Sequence, residues 1–129
     1  MSKFIGSSWS IDLLPEWIGE HEEDCSTIYH PDGVGALQIS SYKKDSIVEE
    51  DDLRNLAQDH VEAGAKLSPA NSGQFNGFTL AFGAEGQFWQ YWYVANNNTA
   101  LLLTYNCEEV DLGPERDEVK SMVGTLAAT

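Results

Sequence analysis

The stretch FTLAFGAEGQFWQYWYVANNNTALLLTY, residues 78–105, decides the fold class of this chain. Its segments 78–82 and 101–105 alternate apolar residues with others, and 88–94 is the most aromatic segment of the chain, as is typical of strands. The connections at 84–86 and 96–98 carry glycine or asparagine, which tolerate the backbone angles of tight turns. The stretch therefore predicts three antiparallel strands joined by turns.

The N-terminal part of the chain shows the same layout. Period-two alternation predicts strands at 9–13, 25–30 and 34–42. The tetrad HPDG at 30–33 is a turn signal, so the last two of these strands form a hairpin. The short polar segment 66–73 predicts a linker. The chain thus carries six predicted strands.

Two amphipathic helices complete the pattern. Ser46 and Glu49 have the spacing of a capping box, and the apolar stripe behind them runs to about Gly64. The stripe consists of Leu53, Leu56, Ala57, His60, Val61 and Ala65. A second helix begins at Pro114, and its apolar stripe consists of Val119, Met122, Val123 and Leu126.

The predicted element order is βββαβββα. Hairpin-joined strands with separate helices indicate an α+β fold, a six-stranded antiparallel sheet with two helices over one face. A length of 129 residues predicts a single domain, 1–129.

Charge narrows the range of partners. Seven Lys and Arg stand against 21 Asp and Glu, for a formal net charge of −14. Such a charge repels phosphate backbones and anionic headgroups, so nucleic acid and membrane surfaces are poor partners. The longest strongly apolar stretch, 100–103, is far too short to span a membrane, and the N-terminus lacks a signal-peptide pattern. We therefore expect a cytoplasmic protein with two reduced, buried thiols, Cys25 and Cys107.

No catalytic motif emerges from the sequence. It has no Gly-x-Ser-x-Gly elbow, no recognised Cys-His context and no phosphate loop, so we expect no enzyme and no cofactor. The run His21, Glu22, Glu23 and Asp24 lacks the spacing of a metal site, and we interpret it as a solvated acidic turn. His60 lies on the apolar side of the first helix and is interpreted as a boundary residue.

The aromatic strand supplies the candidate binding residues. We expect Phe88, Trp92 and Val94 under the helices, which leaves Trp89, Tyr91 and Tyr93 on the other face. On that face the three rings would have small or polar neighbours and could bind a ligand or a protein. Alternatively, the rings pack across strands, or the N-terminal segment covers them with Phe4 and Ile5. The expected neighbours are Gln38, Ser40, Thr79 and Ala81.

Two acidic groups are candidate rims of this surface. A strongly acidic domain can steer a basic partner at a high rate that salt suppresses. The alternative is that the acids are solvated helix starts and loops. The candidate rim residues are Glu49, Glu50, Asp51 and Asp52 in one group and Glu108, Glu109 and Asp111 in the other.

Five segments of the chain resemble small bacterial proteins of the PsbP-like fold. They are WSIDLLPEW, YHPDGVGALQIS, FNGFTLAFG, FWQYWYV and LLLTYN. Members of that fold are mostly non-enzymatic, among them photosystem accessory subunits and chaperones of secreted effectors. The resemblance implies an α/β sandwich and a binding role.

We therefore expect a small acidic cytoplasmic module that binds another, basic protein, such as a toxin-neutralising immunity protein or an effector-associated adaptor. The alternative is a small-molecule-binding domain or cryptic enzyme with the aromatic face as its pocket. Self-association into a two-fold homodimer through that face is a third possibility.

Overall fold

Ten strands and three α-helices make up the computed structural model, which describes residues 2–129. The helices are α1 (Glu50–Leu56), α2 (Gln58–Glu62) and α3 (Pro114–Val123), and a 3-10 turn spans Glu109–Asp111. The strands are β1 (Ser2–Ile5), β2 (Trp9–Leu13), β3 (Ile18–His21), β4 (Ser26–Tyr29), β5 (Gly35–Lys43), β6 (Ser68–Ser72), β7 (Phe75–Ala84), β8 (Gln87–Asn96), β9 (Thr99–Glu108) and β10 (Ala127–Ala128).

All strands pair antiparallel, in two sheets. The large sheet has the order β3-β4-β5-β9-β8-β7-β6, and the small sheet has the order β1-β2-β10. The aromatic stretch forms three adjacent strands of the large sheet, β7, β8 and β9. Glu85 and Gly86, with φ of 53° and 80°, make the tight turn between β7 and β8. Long-range pairing of β5 with β9 joins the N-terminal hairpin to these strands.

The first face of the large sheet carries the main hydrophobic core. The small sheet and α3 both pack on this face, through residues such as Ile11, Val119 and Met122. Complete burial of one such side chain is worth about 1.5–3 kcal/mol. The sheet contributes Ile28, Leu37, Ile39, Phe75, Phe88, Trp92, Val94, Leu101, Leu103, Tyr105 and Cys107.

A carboxylate at the start of α3 holds that helix to the large sheet. Glu115 accepts hydrogen bonds from the backbone N–H groups of Val34 and Gly35, both at 2.9 Å. It also accepts one from the hydroxyl of Tyr105 at 2.9 Å. One side chain thus links α3, the start of β5 and β9.

The second face of the large sheet is covered in part by α1 and α2. Leu53 and Ala57 pack against Leu80, Tyr93 and Ala100 in a smaller core. The Arg54 guanidinium lies 4.7 Å from the centroid of the Phe78 ring, a cation–π contact on β7. The two helices therefore stand over β7, β8 and the start of β9.

The predicted sheet was wrong in strand number, order and layering. Strands lie at all six predicted positions, but β1, β3, β6 and β10 were not predicted, and β2 belongs to the separate small sheet. Each missed strand is short, polar or both, so its own residues give little alternation. The α+β class with antiparallel pairing is correct.

The predicted helices also differ from the structure. The first one is broken at Ala57 into α1 and α2, and its capping box uses Glu49 and Asp52 rather than Ser46 and Glu49. Only Leu53 and Ala57 of the predicted stripe are buried, because the break turns the remaining positions away from a common face. The helices lie on both faces of the large sheet and not on one. None of the described helices has the length and apolarity that membrane crossing needs.

Candidate functional site

A wide part of the second face of the large sheet lies beside α1 and α2. Tyr91 and Leu102 at its border pack against the smaller core, and the rest lies outside the cover of the two helices. Because side chains alternate between faces, the register places Trp89 and Tyr91 of β8 beside residues of β9, β5 and β4 on this face. Nine of its ten residues are half-buried and Gln38 is exposed. We call this surface the open face; it consists of Thr27, Tyr29, Ala36, Gln38, Ser40, Trp89, Tyr91, Leu102, Thr104 and Asn106.

The aromatic row on β8 marks the boundary between covered and open surface. The ring centroids of Trp89 and Tyr91 are 6.2 Å apart, and those of Tyr91 and Tyr93 are 6.1 Å apart. His60 on α2 lies 4.6 Å from the Tyr91 ring and 5.2 Å from the Phe82 ring. The three rings share the second face as predicted. Trp89 and Tyr91 are half-buried, with Tyr91 beside the smaller core, whereas the expected exposure of Tyr93 is wrong because α1 covers it.

Burial also changes the chemistry of these phenols. Loss of solvent raises the pKa of Tyr91, and it raises the pKa of Tyr93 from 10.0 to about 12, with a further contribution from the nearby Tyr91. Tyr93 is therefore a neutral core residue at physiological pH and belongs to the packing of α1.

The neighbours of the aromatic row on β8 differ in part from the predicted neighbours. Gln38 and Ser40 share the open face, but Thr79 and Ala81 lie on the first face, opposite Trp92 and Gln90. The N-terminal segment does not cover the rings, since Phe4 instead stacks on His21 with centroids 4.5 Å apart. Six open-face residues were not predicted, because their placement depends on pairing between distant strands. They are Thr27, Tyr29, Ala36, Leu102, Thr104 and Asn106.

The two predicted acidic rims lie at opposite ends of the sheet. Glu108 ends β9 on the same face as Trp89, and Glu109 and Asp111 follow in the exposed 3-10 turn. The other rim, Glu49, Glu50, Asp51 and Asp52, is at the N-terminus of α1, near the opposite end of strands about 30 Å long. One partner segment would have to span the whole sheet to contact both rims.

Asp52 serves the helix and not a binding surface. Its carboxylate accepts hydrogen bonds from the backbone N–H of Glu49 and from Lys44 Nζ, both at 2.8 Å. These two donors lower the pKa of Asp52. The predicted rim residue Asp52 is therefore already engaged within the chain.

Two acids that the prediction left out flank the open face on the other side. Glu20 on β3 accepts a hydrogen bond from Tyr29 Oη at 3.3 Å. Glu22 accepts one from Thr27 Oγ1. The open face is therefore flanked by carboxylates, Glu20 and Glu22 on the β3 side and Glu108 at the end of β9, and none of its own residues is a lysine or arginine.

The acidic run at 21–24 contains a histidine that is already engaged. His21 Nδ1 pairs with Ser26 Oγ at 2.7 Å, and Nε2 pairs with the backbone oxygen of Ile5 at 2.9 Å. His21 lies at the end of β3, and the turn follows it. Residues 2–129 contain no group of three His, Cys, Asp or Glu side chains that could hold a metal ion.

The two cysteines are free. Cys107 is buried as predicted, while Cys25 is only half-buried. Burial is the main cause that raises the pKa of both thiols. Neither side chain is therefore an activated nucleophile.

Tryptophan fluorescence gives a direct test of the open face. Trp9, Trp17 and Trp92 are buried, so Trp89 is the accessible member of the four. We expect Trp89→Phe to abolish most of the quenching by acrylamide. The buried-site control Trp92→Phe should leave the quenching constant nearly unchanged. Equal quenching of the wild type and Trp89→Phe would show that Trp89 is covered.

Comparisons with known proteins identify the fold and no family. No family model and no curated protein matches the chain. A crystal structure from Bacteroides thetaiotaomicron is similar, with a TM-score of 0.74 and 21% identity over 98% of this chain and 48% of that one. The chain thus spans about half the length of that structure.

LpqN, described as involved in cell envelope biogenesis of Mycobacterium tuberculosis, is also similar. Its TM-score is 0.60 and its identity 13%, over 94% of this chain and 83% of that one. The resemblance to the PsbP-like proteins stays a prediction. The two solved structures show that this α+β architecture with antiparallel sheets recurs in other proteins. At sequence identities this low, the similarity of fold does not indicate the function of this chain.

Proposed function

We propose that this protein is a non-enzymatic binding module that recognises another protein through the open face. The observation that carries the proposal is the half-buried Trp89–Tyr91 pair at the border between the sheet surface that α1 and α2 cover and the surface that they leave uncovered. Tryptophan and tyrosine supply large, rigid contact area and dominate the binding energy of many protein interfaces. An uncovered polar sheet face alone would be ordinary for an antiparallel sheet, so the aromatic pair is what favours binding.

The charge distribution supports a basic partner. The chain carries a formal net charge of −14, and three acidic side chains flank the open face, Glu20, Glu22 and Glu108. A basic surface would be steered toward this face, and added salt would slow the encounter. A toxin-neutralising immunity protein or an effector-associated adaptor in the cytoplasm would have this chemistry, and we expect it to need no cofactor.

Affinity capture tests the proposal. The immobilised protein is exposed to a lysate of the cells that make it, at low and at high salt, and retained proteins are identified by mass spectrometry. We expect one basic protein that is retained in stoichiometric amount and released by salt. Trp89→Ala should lose it while keeping the wild-type circular dichroism spectrum.

Two matched controls make the result specific. Ile5→Ala removes an exposed apolar side chain from the small sheet, on the opposite side of the large sheet, and should retain the partner. Glu108→Lys should weaken retention more than Asp117→Lys, which makes the same charge change on α3. Retention that is equal for Trp89→Ala and Ile5→Ala would refute binding through the open face.

A small-molecule site is the competing proposal. A groove of about 560 Å³ lies beside His60 and Phe82, next to the aromatic row, and this volume lies in the range of ligand pockets. A ligand that binds only the folded protein would raise its melting temperature in proportion to its concentration. Such a rise, together with failure to retain a protein, would favour this alternative. Self-association would instead give a mass that depends on concentration.

A further inference from the structure

We propose that an extended segment of another protein adds to the large sheet as a strand beside Ala81 and Gly83 of β7, with a lysine or arginine opposite Gly83. The site is a free edge of the sheet and not the open face, so the inference goes beyond the proposed function and does not rest on it. Three observations carry it: unpaired backbone groups on this edge, a groove beside them and a carboxylate at one end of the groove.

The edge of β7 is free where β6 ends. β6 pairs with the first half of β7, from Phe75 to Thr79. Residues 80–84 have β8 on one side and, within residues 2–129, no strand on the other. The outer edge of β6 carries Pro69, which has no N–H to donate. The segment 80–84 has no proline and no charged residue, so it lacks the features that usually protect an exposed edge from pairing.

The hairpin geometry shows which backbone groups point outward from this edge. A two-residue turn joins β7 to β8, and the pair that closes it, Ala84 and Gln87, exchanges both of its backbone hydrogen bonds. Successive residues of a strand direct these groups to opposite sides, so the N–H and C=O groups of Ala81 and Gly83 point away from β8. Within residues 2–129 these outward groups make no hydrogen bond. They are the groups that an added strand would pair with.

A groove beside this edge has room for the added strand. It has a volume of about 560 Å³ and lies between the segment 63–66 and the exposed edge residues Ala81 and Gly83. These two residues have small side chains or none, so a second backbone can approach to the usual strand spacing of about 4.8 Å. A strand residue opposite Phe82 would direct its side chain to the second face, beside the Phe82 and His60 rings. We expect an apolar side chain at that position.

A carboxylate at one end of the groove sets the charge of the added strand. A Cβ atom at Gly83 would overlap Glu109 Oε1, so this carboxylate lies directly against the edge. Glu109 takes part in no salt bridge within residues 2–129. A residue opposite Gly83 would direct its side chain to the same face, where a lysine or arginine would pair with Glu109. Lys66 lines the groove near the start of β6 and would repel a second basic residue at that end.

A second copy of this chain fits the edge less well than a basic segment does. Its own free edge, residues 80–84, has no lysine or arginine to pair with Glu109. Each copy also carries a formal net charge of −14, and like charges oppose the association of two copies. The structure therefore favours a segment of a different protein as the added strand.

Titration with a synthetic peptide tests this inference. The probe is the acetylated and amidated hexapeptide TKVTVT, and NMR follows the amide signals of the isotope-labelled full chain. We expect the amide protons of Ala81 and Gly83 to move downfield and to become protected from exchange, with a dissociation constant below about 1 mM. The peptide TEVTVT should bind about tenfold more weakly or worse, and added salt should reduce this difference.

Methylation of the peptide backbone tests strand pairing itself. In the proposed antiparallel register the lysine lies opposite Gly83 and the second threonine lies opposite Ala81, so the N–H groups of both donate to β7. N-methyl groups on these two residues should abolish binding. N-methyl groups on the two valines, whose N–H groups point away from β7, should leave most of the affinity. Equal affinities of the two methylated peptides would contradict strand addition.

Variants of the chain test the two sides of the site separately. Ala81→Pro removes an outward N–H and should weaken binding by about tenfold or more, whereas Ala81→Ser keeps that N–H and should bind like the wild type. Glu109→Gln should weaken binding of the lysine peptide. Asp111→Asn, which removes the same charge from the same exposed turn, should not. Circular dichroism checks that each variant is folded, and the Glu109 variant does not depend on the tolerance of β7 for proline.

Three outcomes would overturn the inference. Peptide-induced shifts at Gln38 and Thr104 instead of Ala81 and Gly83 would place the binding on the open face. Shifts of the Ala81 and Gly83 signals that grow with protein concentration in the absence of peptide would identify a second copy as the added strand. The absence of any shift at about 10 mM peptide, ten times the expected limit of the dissociation constant, would show that the edge binds no such segment.

Discussion

Replacing Glu115 with alanine will lower the free energy of unfolding by about 3 kcal/mol. The substitution removes the acceptor of three hydrogen bonds at 2.9 Å, from the backbone of Val34 and Gly35 and from Tyr105 Oη. Hydrogen bonds to a charged group are worth about 1.5–3 kcal/mol each, and exposure to water reduces the total here. The start of α3 would then separate more easily from β5 and β9.

Urea unfolding measures this loss, and α3 itself supplies the control. Asp117 lies in the same first turn of the helix and is exposed, so Asp117→Ala should change stability by no more than about 0.5 kcal/mol. Tyr105→Phe removes one of the three donors and should fall between the two variants. Equal midpoints for Glu115→Ala and Asp117→Ala would contradict the role given to Glu115.

Raising the pH through the range of about 10 to 12 will destabilise the folded protein sharply. Burial raises the pKa of Tyr93 from 10.0 to about 12, and burial together with the hydrogen bond to Glu115 raises the pKa of Tyr105 further. In the unfolded chain both phenols ionise near pH 10. Because the unfolded state loses these protons first, the stabilising contribution is complete below pH 10 and disappears as the pH rises through the folded-state pKa.

Phenolate absorbance and circular dichroism, recorded on the same samples, check this expectation. The absorbance of the two buried phenols should appear only with the loss of folded structure. Tyr93→Phe should move the alkaline transition to higher pH, since it removes one of the two groups that drive it. Ionisation of all five tyrosines in a protein that stays folded would contradict the burial of Tyr93 and Tyr105.

The residues that dominate the large sheet could be predicted from the sequence because their patterns are local. The hairpins around 84–86 and 96–98 follow from turn residues between apolar segments, and the structure has strands on both sides of each. The four short strands could not be predicted in this way. The polar composition of 66–73 predicts a linker, but Ser68–Ser72 forms the strand β6 because it pairs with the edge of β7.

The candidate site also combines features that local sequence patterns predict with features that depend on tertiary packing. The shared face of Trp89, Tyr91 and Tyr93 follows from alternation along β8, but the burial of Tyr93 depends on which face of the sheet α1 packs on. The residue pattern of α1 does not determine which face of the sheet the helix covers, since Leu53 and Ala57 could pack on either face. Residues of β4 and β9 join the open face through the pairing of β5 with both strands, which connects residues as far apart as Ala36 and Asn106.

The dissociation constant of the complex with the purified partner tests the central claim most directly. Calorimetry on the wild type, Trp89→Ala and Ile5→Ala, each at low and at high salt, gives the six values needed. We expect Trp89→Ala to weaken binding by about 30-fold or more, equivalent to about 2 kcal/mol. Ile5→Ala should bind like the wild type, and salt should weaken the binding of all three proteins. Equal affinities of Trp89→Ala and the wild type would contradict binding through the open face.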